Sequence, residues 1–549
     1  MDHVKILDKI INKNNLERAY QYAIYDRLKN DYYYDCFEID YVLRNRDEII
    51  NALIKECSTI DKYSPSSAYA YYPPKSDLCF RRMIYIPFKD LVIRYAFVSV
   101  LADLLDSELI TSCFANRKAS YEQAKESLLE DFGKKSWPKF CNWQKSTVKK
   151  STVLLRTDIS AFYDSVSHEY LMDTIAEELS VGIDTNLIQL LQKILRIPVV
   201  SYSNITKKVE GPHTITQGLA IGNSTEGLLA NLYLKNVDEA MQNNSIQYGR
   251  YNDDIRLFGT NKDTVLDAVK TIQDLLLSKG LNLNSGKTQL ADTQTKIGEL
   301  RSKDYELYEY INQEDEFQPE NRELEDNIDR DFDEFDRRFI PADELSNNND
   351  AKDFCKFLSV RNKDGNNLIA MSERTLDHVT KLKEILKKWG GSSRHASWLL
   401  IQSSFYKEIP ETTRRESRKL LLECLRDESI NSYAKYRLLH HLVKLRTSPK
   451  MGDFKYIDQL SDDERDEIRN LLPTIISHTA FELNIIGLYT LWTLGASYSE
   501  VKESANKYVP KPIGDPIKNA LFYLAPSNEV ISTTQVSSSE EPDEQTNSY

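Results

Sequence analysis

The segment YGRYNDDIRLFG, residues 248–259, constrains the fold of this chain more than any other stretch. It sets Asp253 and Asp254 side by side between two short runs that are rich in aromatic and apolar residues. Such runs predict two strands joined by a tight turn. Two adjacent carboxylates at a hairpin tip repel each other, so the surrounding fold has to supply positive charge.

A third predicted strand ends in a further carboxylate. The run STVLLRTDIS, residues 151–160, reads as a β-strand that reaches Asp158. A strand end with one carboxylate and a hairpin tip with two can meet on neighbouring strands of one sheet. Three converging carboxylates suit Mg²⁺, and two such ions activate an attacking hydroxyl and stabilise a departing pyrophosphate. The residues therefore indicate nucleotidyl transfer.

The periodicity of the chain separates three regions. Residues 1 to about 150 are mostly helical in pattern, as in RDEIINALIKEC and KDLVIRYAFVSVLADLLDSEL. Residues from about 151 to 300 alternate β-rich and helical runs, as α/β and α+β domains do. From residue 351 to about 525, amphipathic stretches such as LDHVTKLKEILKKW and YAKYRLLHHLVKL follow one another and predict a helical array.

The net charge of −13 is concentrated in one stretch of the chain. Residues 314–336 contain twelve acidic residues and two arginines, so the overall acidity does not argue against a nucleic-acid partner. We predict a solvated linker here; the alternative is a nucleic-acid mimic that occupies a basic channel. Residues 133–150 are the opposite case, with six lysines interleaved with Trp137 and Trp143. This segment is either a solvated loop with two anchoring aromatics or a nucleic-acid contact.

Several classes of protein are not indicated. No stretch approaches the roughly eighteen apolar residues of a membrane span, and the charged N-terminus does not resemble a signal peptide, so we expect a cytoplasmic protein without a membrane partner. The seven cysteines are far apart, which predicts reduced thiols and no zinc site. Neither a Gly-x-Ser-x-Gly motif nor a P-loop is present. His440 and His441 are adjacent on a predicted helix and point to different faces, so a shared metal is not expected.

Four motifs in one order resemble those of reverse transcriptases. TDISAFYD resembles the strand with the first metal aspartate, and TQGLAIGNSTEGLLANLYL resembles the Gln-Gly turn and helix beside template and nucleotide. YNDD resembles the Tyr-x-Asp-Asp hairpin, and GLNLNSGKTQL resembles the element that brings a lysine near the triphosphate. Upstream, RRMIYIPFKDLVIRYAF and SCFANRKA resemble the fingers. The resemblance covers roughly residues 79–290 and implies RNA-directed or template-independent DNA synthesis from deoxynucleoside triphosphates.

The resemblance also implies roles for individual residues. Asp158 and Asp253 are expected to bind two Mg²⁺ ions, with Mn²⁺ as a substitute, while Asp254 completes the carboxylate cluster and the Ile159 carbonyl joins the ligands. Tyr163 matches the steric gate that crowds a ribose 2′-hydroxyl. The remaining expected nucleotide or template contacts are Arg82, Lys89, Gln217, Gly218 and Lys287. Asp164, which follows this tyrosine, is expected to cap a helix.

The fold class that follows is α+β: right-hand polymerase fingers and palm, followed by an all-α helical-repeat-like C-terminal domain. The predicted domains are fingers and palm in 1–300, an acidic linker in 301–350, an α-helical repeat-like domain in 351–530 and a disordered tail in 531–549. A polymerase core followed by helical repeats resembles the bacterial defence reverse transcriptases, including the abortive-infection group.

That subgroup implies phage defence by DNA synthesis, an RNA template or an associated noncoding RNA, a DNA product that in some members is covalently attached to protein, and a homo-oligomer. Two alternatives stay open. A retroelement enzyme copying its own or an associated RNA would use the same core but should bring a basic RNA-binding or nuclease domain. A non-catalytic interaction protein would be expected to have lost an aspartate, whereas all three are present.

Overall fold

A computed structural model describes most of the chain. The described residues are 2–29, 33, 35–57, 62–75, 79–120, 127–130, 135–203, 208–242, 246–301, 351, 355, 374–388, 390–407, 409–444, 446–448, 452–478 and 480–509. The acidic run 314–336 and the tail 531–549 lie outside them, so the predictions of a linker and a disordered tail stay predictions. Within the described part, no helix is long and apolar enough to cross a membrane.

The N-terminal part combines helices with a small sheet. Its helices are α1 (His3–Ile10), α2 (Lys13–Lys29), α3 (Cys36–Arg44), α4 (Arg46–Glu56), α5 (Phe88–Leu105) and α6 (Trp137–Val148). Strands β1 (Ala68–Tyr71) and β2 (Met83–Tyr85) pair antiparallel and lie in a sheet of order β2-β1-β4-β5 with the later strands β4 (Pro198–Ser203) and β5 (Lys208–Thr214). We call this the N-terminal sheet.

Helix α5 passes through the centre of this part of the molecule. Fifteen of its eighteen residues are buried, on all sides of the helix, as expected for a helix that is apolar around its whole circumference. The buried Arg94 on α5 bonds to Glu226 and donates to the backbone oxygen of Ile194. Its guanidinium thus forms hydrogen bonds to buried polar groups, which would cost free energy if they were buried without a partner.

A second sheet carries the predicted carboxylates. Its described strands are β3 (Val153–Asp158), β6 (Gln247–Tyr251), β7 (Asp254–Gly259) and β8 (Gln289–Ala291), in the order β6-β7-β3-β8. Both neighbours of β3 are antiparallel to it. We call it the carboxylate sheet. The helices around it are α7 (Phe162–Ser165), α8 (His168–Leu179), α9 (Asn186–Leu195), α10 (Glu226–Tyr233), α11 (Lys235–Gln242) and α12 (Lys262–Ser278).

The C-terminal region is helical with one short hairpin. Its described helices are α13 (Leu376–Lys388), α14 (Ser393–Phe405), α15 (Glu411–Arg426), α16 (Ser432–Val443), α17 (Asp462–Ile476), α18 (Phe481–Thr493) and α19 (Tyr498–Tyr508). The hairpin joins β9 (Arg446–Ser448) to β10 (Gly452–Phe454) and follows α16. Ser461 and Ser497 form capping boxes at the starts of α17 and α19, which satisfies their first backbone N–H groups.

The helical region packs directly on the N-terminal helices. The Phe37 ring on α3 meets Tyr489 on α18 edge to face, with centroids 5.0 Å apart. The Tyr489 hydroxyl donates to Asp40 Oδ2 at 2.8 Å. Tyr33 contacts both Tyr436 and Phe481, at centroid distances of 5.3 and 5.6 Å. One cluster of buried apolar side chains therefore includes both the first and the last described helix.

The predicted fold class is confirmed: the chain combines helices and sheets, and an essentially helical region follows. The helices proposed from periodicity and both strands of the hairpin lie where the patterns placed them. All seven cysteines are free thiols. The interpretation of residues 133–150 as a loop was wrong, because α6 occupies most of that segment.

Candidate active site

Strand pairing brings the three predicted aspartates to one edge of the carboxylate sheet. Asp158, the last residue of β3, lies directly opposite Asp254, the first residue of β7. Asp253 occupies the turn just before Asp254, and its backbone oxygen accepts a hydrogen bond of 3.1 Å from the Ile159 N–H. The hairpin tip is thereby attached to the end of β3, as the sequence predicted.

The hairpin turn depends on a residue that tolerates a left-handed backbone. Asn252 has φ of 54°, a conformation that Asn adopts more readily than most residues. Its side-chain oxygen accepts a hydrogen bond from Asn116 Nδ2. Asn116 belongs to the predicted fingers segment SCFANRKA, where the Phe114 N–H donates to the backbone oxygen of Arg250 at 3.1 Å. That segment therefore lies beside the aspartates.

A buried arginine supports the hairpin from beneath. Arg250 on β6 is fully buried and donates from Nε and Nη2 to the two carboxylate oxygens of Asp238, each at 2.7 Å. Its Nη1 donates to Asn231 Oδ1 at 2.8 Å and to the backbone oxygen of Asn252 at 3.3 Å. The Tyr248 hydroxyl donates to the same aspartate at 2.7 Å. Sequence reasoning missed this network, although an arginine between the two tyrosines of β6 was the available signal.

Each flanking aspartate has a cationic neighbour within the chain. Lys287 Nζ donates to Asp158 Oδ2 at 3.0 Å, and Asn284 Nδ2 donates to the same oxygen at 3.2 Å. Asp254 Oδ1 lies 3.4 Å from Arg256 Nη1 and 4.0 Å from Arg156 Nη2. Lys287, which the resemblance places near the triphosphate, contacts Asp158 in this structure, and its contact with a nucleotide stays a prediction.

The charge of Asp253 is the least compensated of the three. Burial raises the pKa of its carboxyl to about 6, and the nearby Asp158 and Asp254 charges add to this effect. Lys287 acts in the opposite direction and lowers the pKa. Like charges at short range disfavour full ionisation, and a bound cation reverses that preference.

The donor chemistry suits a hard divalent cation. Carboxylate oxygens from three aspartates and a backbone carbonyl are the ligands that Mg²⁺ prefers. In the part of the chain that the structure describes, no three His, Cys, Asp or Glu side chains are arranged as a metal-binding group. One oxygen of Asp158 contacts Lys287, and one oxygen of Asp254 lies 3.4 Å from Arg256.

Tyr163 is partly buried beside the aspartates. Burial raises the pKa of its hydroxyl, and the charges of Asp253 and Glu226 raise it further, while a hydrogen bond with Asn116 lowers it. Its ring meets Phe162 edge to face, with centroids 5.5 Å apart. The tyrosine thus borders the site, where the sequence predicted it.

The Gln-Gly turn packs against the segment that follows β3. The Gly218 N–H donates to the Val166 oxygen at 2.8 Å, and the Leu219 N–H donates to the Tyr163 oxygen at 2.7 Å. Gly218 has φ of 89°, and a Cβ there would lie 3.1 Å from the Asp164 oxygen, so a side chain would strain the turn. Gln217 is exposed and donates to the Ser165 oxygen at 3.3 Å.

Two predicted contacts and one predicted cap need comment. Lys89 Nζ pairs with Glu56 at 2.9 Å, and no described contact links this lysine to the aspartates. Arg82 is exposed, just before β2. Asp164 does not cap α7: Ala161 takes the N-cap position with φ of 46°, and Asp164 lies inside the helix. The N-cap of α7 is therefore three residues earlier in the chain than Asp164.

The lysine-rich helix α6 turns its aromatic residues inward. The Trp137 ring meets Tyr251 edge to face, with centroids 4.9 Å apart, and the Ser136 and Tyr251 hydroxyls are hydrogen-bonded at 2.7 Å. Trp143 packs over Gly249, where a Cβ would lie 2.5 Å from its ring. These aromatics support the hairpin, and the exposed lysines are left on the other face.

Comparisons with known proteins bear on this site. Residues 93–307 match the family described as Reverse transcriptase (RNA-dependent DNA polymerase). The match includes Asp158, the hairpin and Lys287. The predicted enzyme class, a nucleotidyltransferase of reverse transcriptase type, is confirmed.

A solved structure similar to this chain is apo telomerase from Candida tropicalis truncated from its C-terminal domain. It is 15% identical, over 42% of this chain and 51% of that one, with a TM-score of 0.31. This chain thus spans about half the length of that telomerase chain. The comparison with curated proteins found no match.

Proposed function

We propose that this protein is a DNA polymerase of reverse transcriptase type that adds deoxynucleotides with the help of two divalent ions and acts in antiviral defence against phage. Synthesis is RNA-directed or template-independent, and a protein hydroxyl serves as primer. The observation that carries the proposal is the meeting of Asp158, Asp253 and Asp254 at one sheet edge, inside a reverse transcriptase domain.

The aspartates would hold the two ions, Mg²⁺ or Mn²⁺, with the Ile159 carbonyl as a further ligand. When bound, the ions would lower the pKa of the attacking hydroxyl and stabilise the departing pyrophosphate. Lys287, 3.0 Å from Asp158 Oδ2, would move its ammonium from the carboxylate to the triphosphate. Placed there, the ammonium stabilises negative charge as it develops on the leaving group.

Other residues would orient the incoming nucleotide. Tyr163, whose ring is partly buried beside the aspartates, would exclude a ribose 2′-hydroxyl. Gln217 and Gly218 would line the nucleotide pocket, and Arg82 and Lys89 would contact the triphosphate or the template. For Lys89 this requires its ion pair with Glu56 to open.

The proposed organisation is fingers and palm in 1–300, an acidic linker in 301–350, a helical repeat-like domain in 351–530 and a disordered tail in 531–549. The helical region would take the place of a thumb. An RNA template or an associated noncoding RNA, a DNA product attached to protein, a homo-oligomeric assembly and a cytoplasmic location complete the proposal. The helical region packed on the N-terminal part supports this organisation.

The test is incorporation of labelled deoxynucleotides by protein purified with its accompanying nucleic acid, in the presence of Mg²⁺. We expect the Asp253→Asn/Asp254→Asn variant to lose at least about a hundredfold in rate, because the ligands of the ions are removed. Asp274→Asn, an exposed change on α12, is the matched control. No incorporation by the unaltered protein with any nucleotide would overturn the proposal.

The product separates the defence function from the alternative. Labelled DNA that stays in the phenol phase until protease treatment supports protein priming and the defence class. Free DNA complementary to a co-purified RNA supports a retroelement-type enzyme that copies its own or an associated RNA.

A further inference from the structure

The side chain of Asn116 lies between the hairpin turn and Tyr163, and the proposed function gives it no role. Its Nδ2 donates to Asn252 Oδ1 in the turn. A hydrogen bond also joins its amide to the Tyr163 hydroxyl. One amide therefore connects the residue before Asp253 with the tyrosine that borders the aspartates.

The backbone around Asn116 is held by two other elements. On one side, the Phe114 N–H donates to the backbone oxygen of Arg250 on β6 at 3.1 Å. On the other side, the buried Asn231 on α10 donates from Nδ2 to the Ala115 oxygen at 2.8 Å and to the Asn116 oxygen at 3.4 Å. The position of Asn116 is thus set by both β6 and α10.

The amide of Asn116 fills a space that a glycine leaves open. The Asn116 backbone is left-handed, with φ of 53°, a conformation that Asn adopts more readily than most residues. Gly227 on α10 lies beside the amide, and a Cβ added there would lie 2.5 Å from both Oδ1 and Nδ2 of Asn116. Non-bonded heavy atoms do not approach so closely. The place of the amide therefore depends on the absence of a side chain at Gly227.

The hydrogen bond with Asn116 restrains the outer end of the Tyr163 side chain. The backbone of Tyr163 is held by the Leu219 N–H, which donates to its oxygen at 2.7 Å. The ring meets Phe162 edge to face. A side chain has several staggered positions, and a bond at its far end favours one of them. A ring that excludes a sugar hydroxyl by contact acts in one such position only, because the clash depends on where the ring lies.

We propose that Asn116 is a positioning residue for sugar selection. Its amide would hold the Tyr163 ring at the place of the ribose 2′-hydroxyl, so that deoxynucleotides are accepted and ribonucleotides are rejected. Asn252 would keep the amide oriented from the hairpin side. This inference rests on the proposed polymerase function and on Tyr163 as its steric gate; Asn116 acts through the tyrosine and not by contact with the nucleotide.

The test compares two nucleotides that differ only in the 2′-hydroxyl. The whole protein, purified with its accompanying nucleic acid, receives Mg²⁺ and either dATP or ATP, and likewise the guanine and cytosine pairs. The ratio of kcat/KM for the deoxynucleotide to that for the ribonucleotide isolates the sugar, since base, triphosphate and metal contacts are common to both. Asn116→Gly removes the amide without straining the left-handed backbone. We expect this variant to lower the ratio about fivefold, as loss of one net hydrogen bond does.

Tyr163→Ala shows whether Asn116 acts through the tyrosine. Removal of the ring should lower the ratio more than Asn116→Gly does. With the ring absent, adding Asn116→Gly should lower the ratio no further, whereas independent effects add. Additive effects in the double variant would overturn the positioning role.

Two further glycine variants complete the test. Asn252→Gly removes the other partner of the amide at a second left-handed position, with φ of 54°. It should lower the ratio by a smaller factor, even if Asn116→Gly folds poorly. Ser180→Gly makes the same kind of change at an exposed residue with φ of 53° at the end of α8, and it should leave the ratio unchanged. An unchanged ratio in both asparagine variants, or an equal fall in the serine control, would contradict the proposal.

Failure of this inference is distinct from failure of the proposed function. If the unaltered protein incorporates no nucleotide, the polymerase function is overturned, and the sugar selection with it. If the protein is active and Tyr163→Ala leaves the ratio unchanged, the tyrosine is not the gate and Asn116 cannot act through it. If Tyr163→Ala alone lowers the ratio, only the role of Asn116 is overturned.

Discussion

The environment of Asp253 disfavours the ionised form of its carboxyl group. Burial and two neighbouring carboxylates raise its pKa to about 6, against an ordinary value of 3.8. Between these two pH values the folded protein keeps a proton that the unfolded chain releases. Ionisation of Asp253 therefore costs folding free energy as the pH rises through this window, and the full cost is present above about pH 6.

Asp253→Asn should consequently stabilise the folded protein while it abolishes synthesis. In EDTA at pH 8 we expect the free energy of unfolding to rise by about 1–2 kcal/mol. The gain should shrink towards pH 5, where the Asp253 carboxyl of the unaltered folded protein is mostly protonated and so carries no charge. Thermal or urea unfolding at both pH values measures this, with Asp274→Asn as the unaffected control. Lower stability of Asp253→Asn at pH 8 would contradict the argument.

At the scale of residues, the sequence predicted site residues whose side chains are charged and stand in a motif. The three aspartates and Lys287 were predicted, because carboxylates at strand ends and a lysine in a matching motif leave few other interpretations. Asn116 and Asn284 were not, since a neutral amide in a loop has no pattern that points to a partner. Their side-chain hydrogen bonds form because backbone pairing brings together segments that are distant in sequence.

At the scale of elements, the hairpin that carries Asp253 and Asp254 is supported by a buried ion pair. Arg250 joins strand β6 to helix α11 by its ion pair with Asp238. It also donates to the backbone oxygen of Asn252 in the hairpin turn. A buried charge without its partner is strongly destabilising, whereas removing both charges is far less so. The position of the aspartates thus depends on a pair that touches neither metal nor substrate in the proposal.

Arg250→Met should cost about 3–5 kcal/mol of stability, because Asp238 is left buried without its counter-charge. The double variant Arg250→Met/Asp238→Leu should recover much of that stability. Nucleotide incorporation should stay low in both, since each lacks the donor to the hairpin turn. Denaturant unfolding and incorporation assays measure the two effects separately. Lys270→Met, in an exposed pair with Asp267, should leave both unchanged; full recovery of activity in the double variant would argue against the support role.

The elements themselves were largely predictable from periodicity, and the exceptions have a physical cause. For the lysine-rich segment 133–150, the sequence left a solvated loop and a nucleic-acid contact open and did not predict helix α6. Its helix is stabilised by Trp137 and Phe140 packing against Phe114 and Tyr251. That packing is tertiary, and it overrides what a local pattern can indicate.

At the scale of the whole molecule, the helical region is joined to the N-terminal part by aromatic packing. Phe481 is 7% exposed and contacts Tyr33 and Tyr69. Periodicity predicted the helices but not this contact. An amphipathic pattern shows which face of a helix is apolar, but not which other surface packs against that face. The contact makes the two parts one hydrophobic core.

Phe481→Ala should therefore destabilise the whole protein by about 3–5 kcal/mol, since it opens a cavity in a shared core. We expect one thermal transition, shifted down as a whole, by calorimetry. Leu277→Ala, at a position that is 50% exposed, should shift it little. A split into two transitions, of which only one moves, would show that the parts fold independently.

The hydrogen bond from Tyr489 to Asp40 joins residues 449 positions apart, and this distance has a consequence for synthesis on the ribosome. At 5–20 residues per second, roughly 20–90 seconds pass between the emergence of one partner and that of the other. The residues that assemble the carboxylate edge, from Asp158 to Lys287, are complete much earlier. During that interval the aromatic surface of α3 lacks the α18 side chains that cover it in the folded protein.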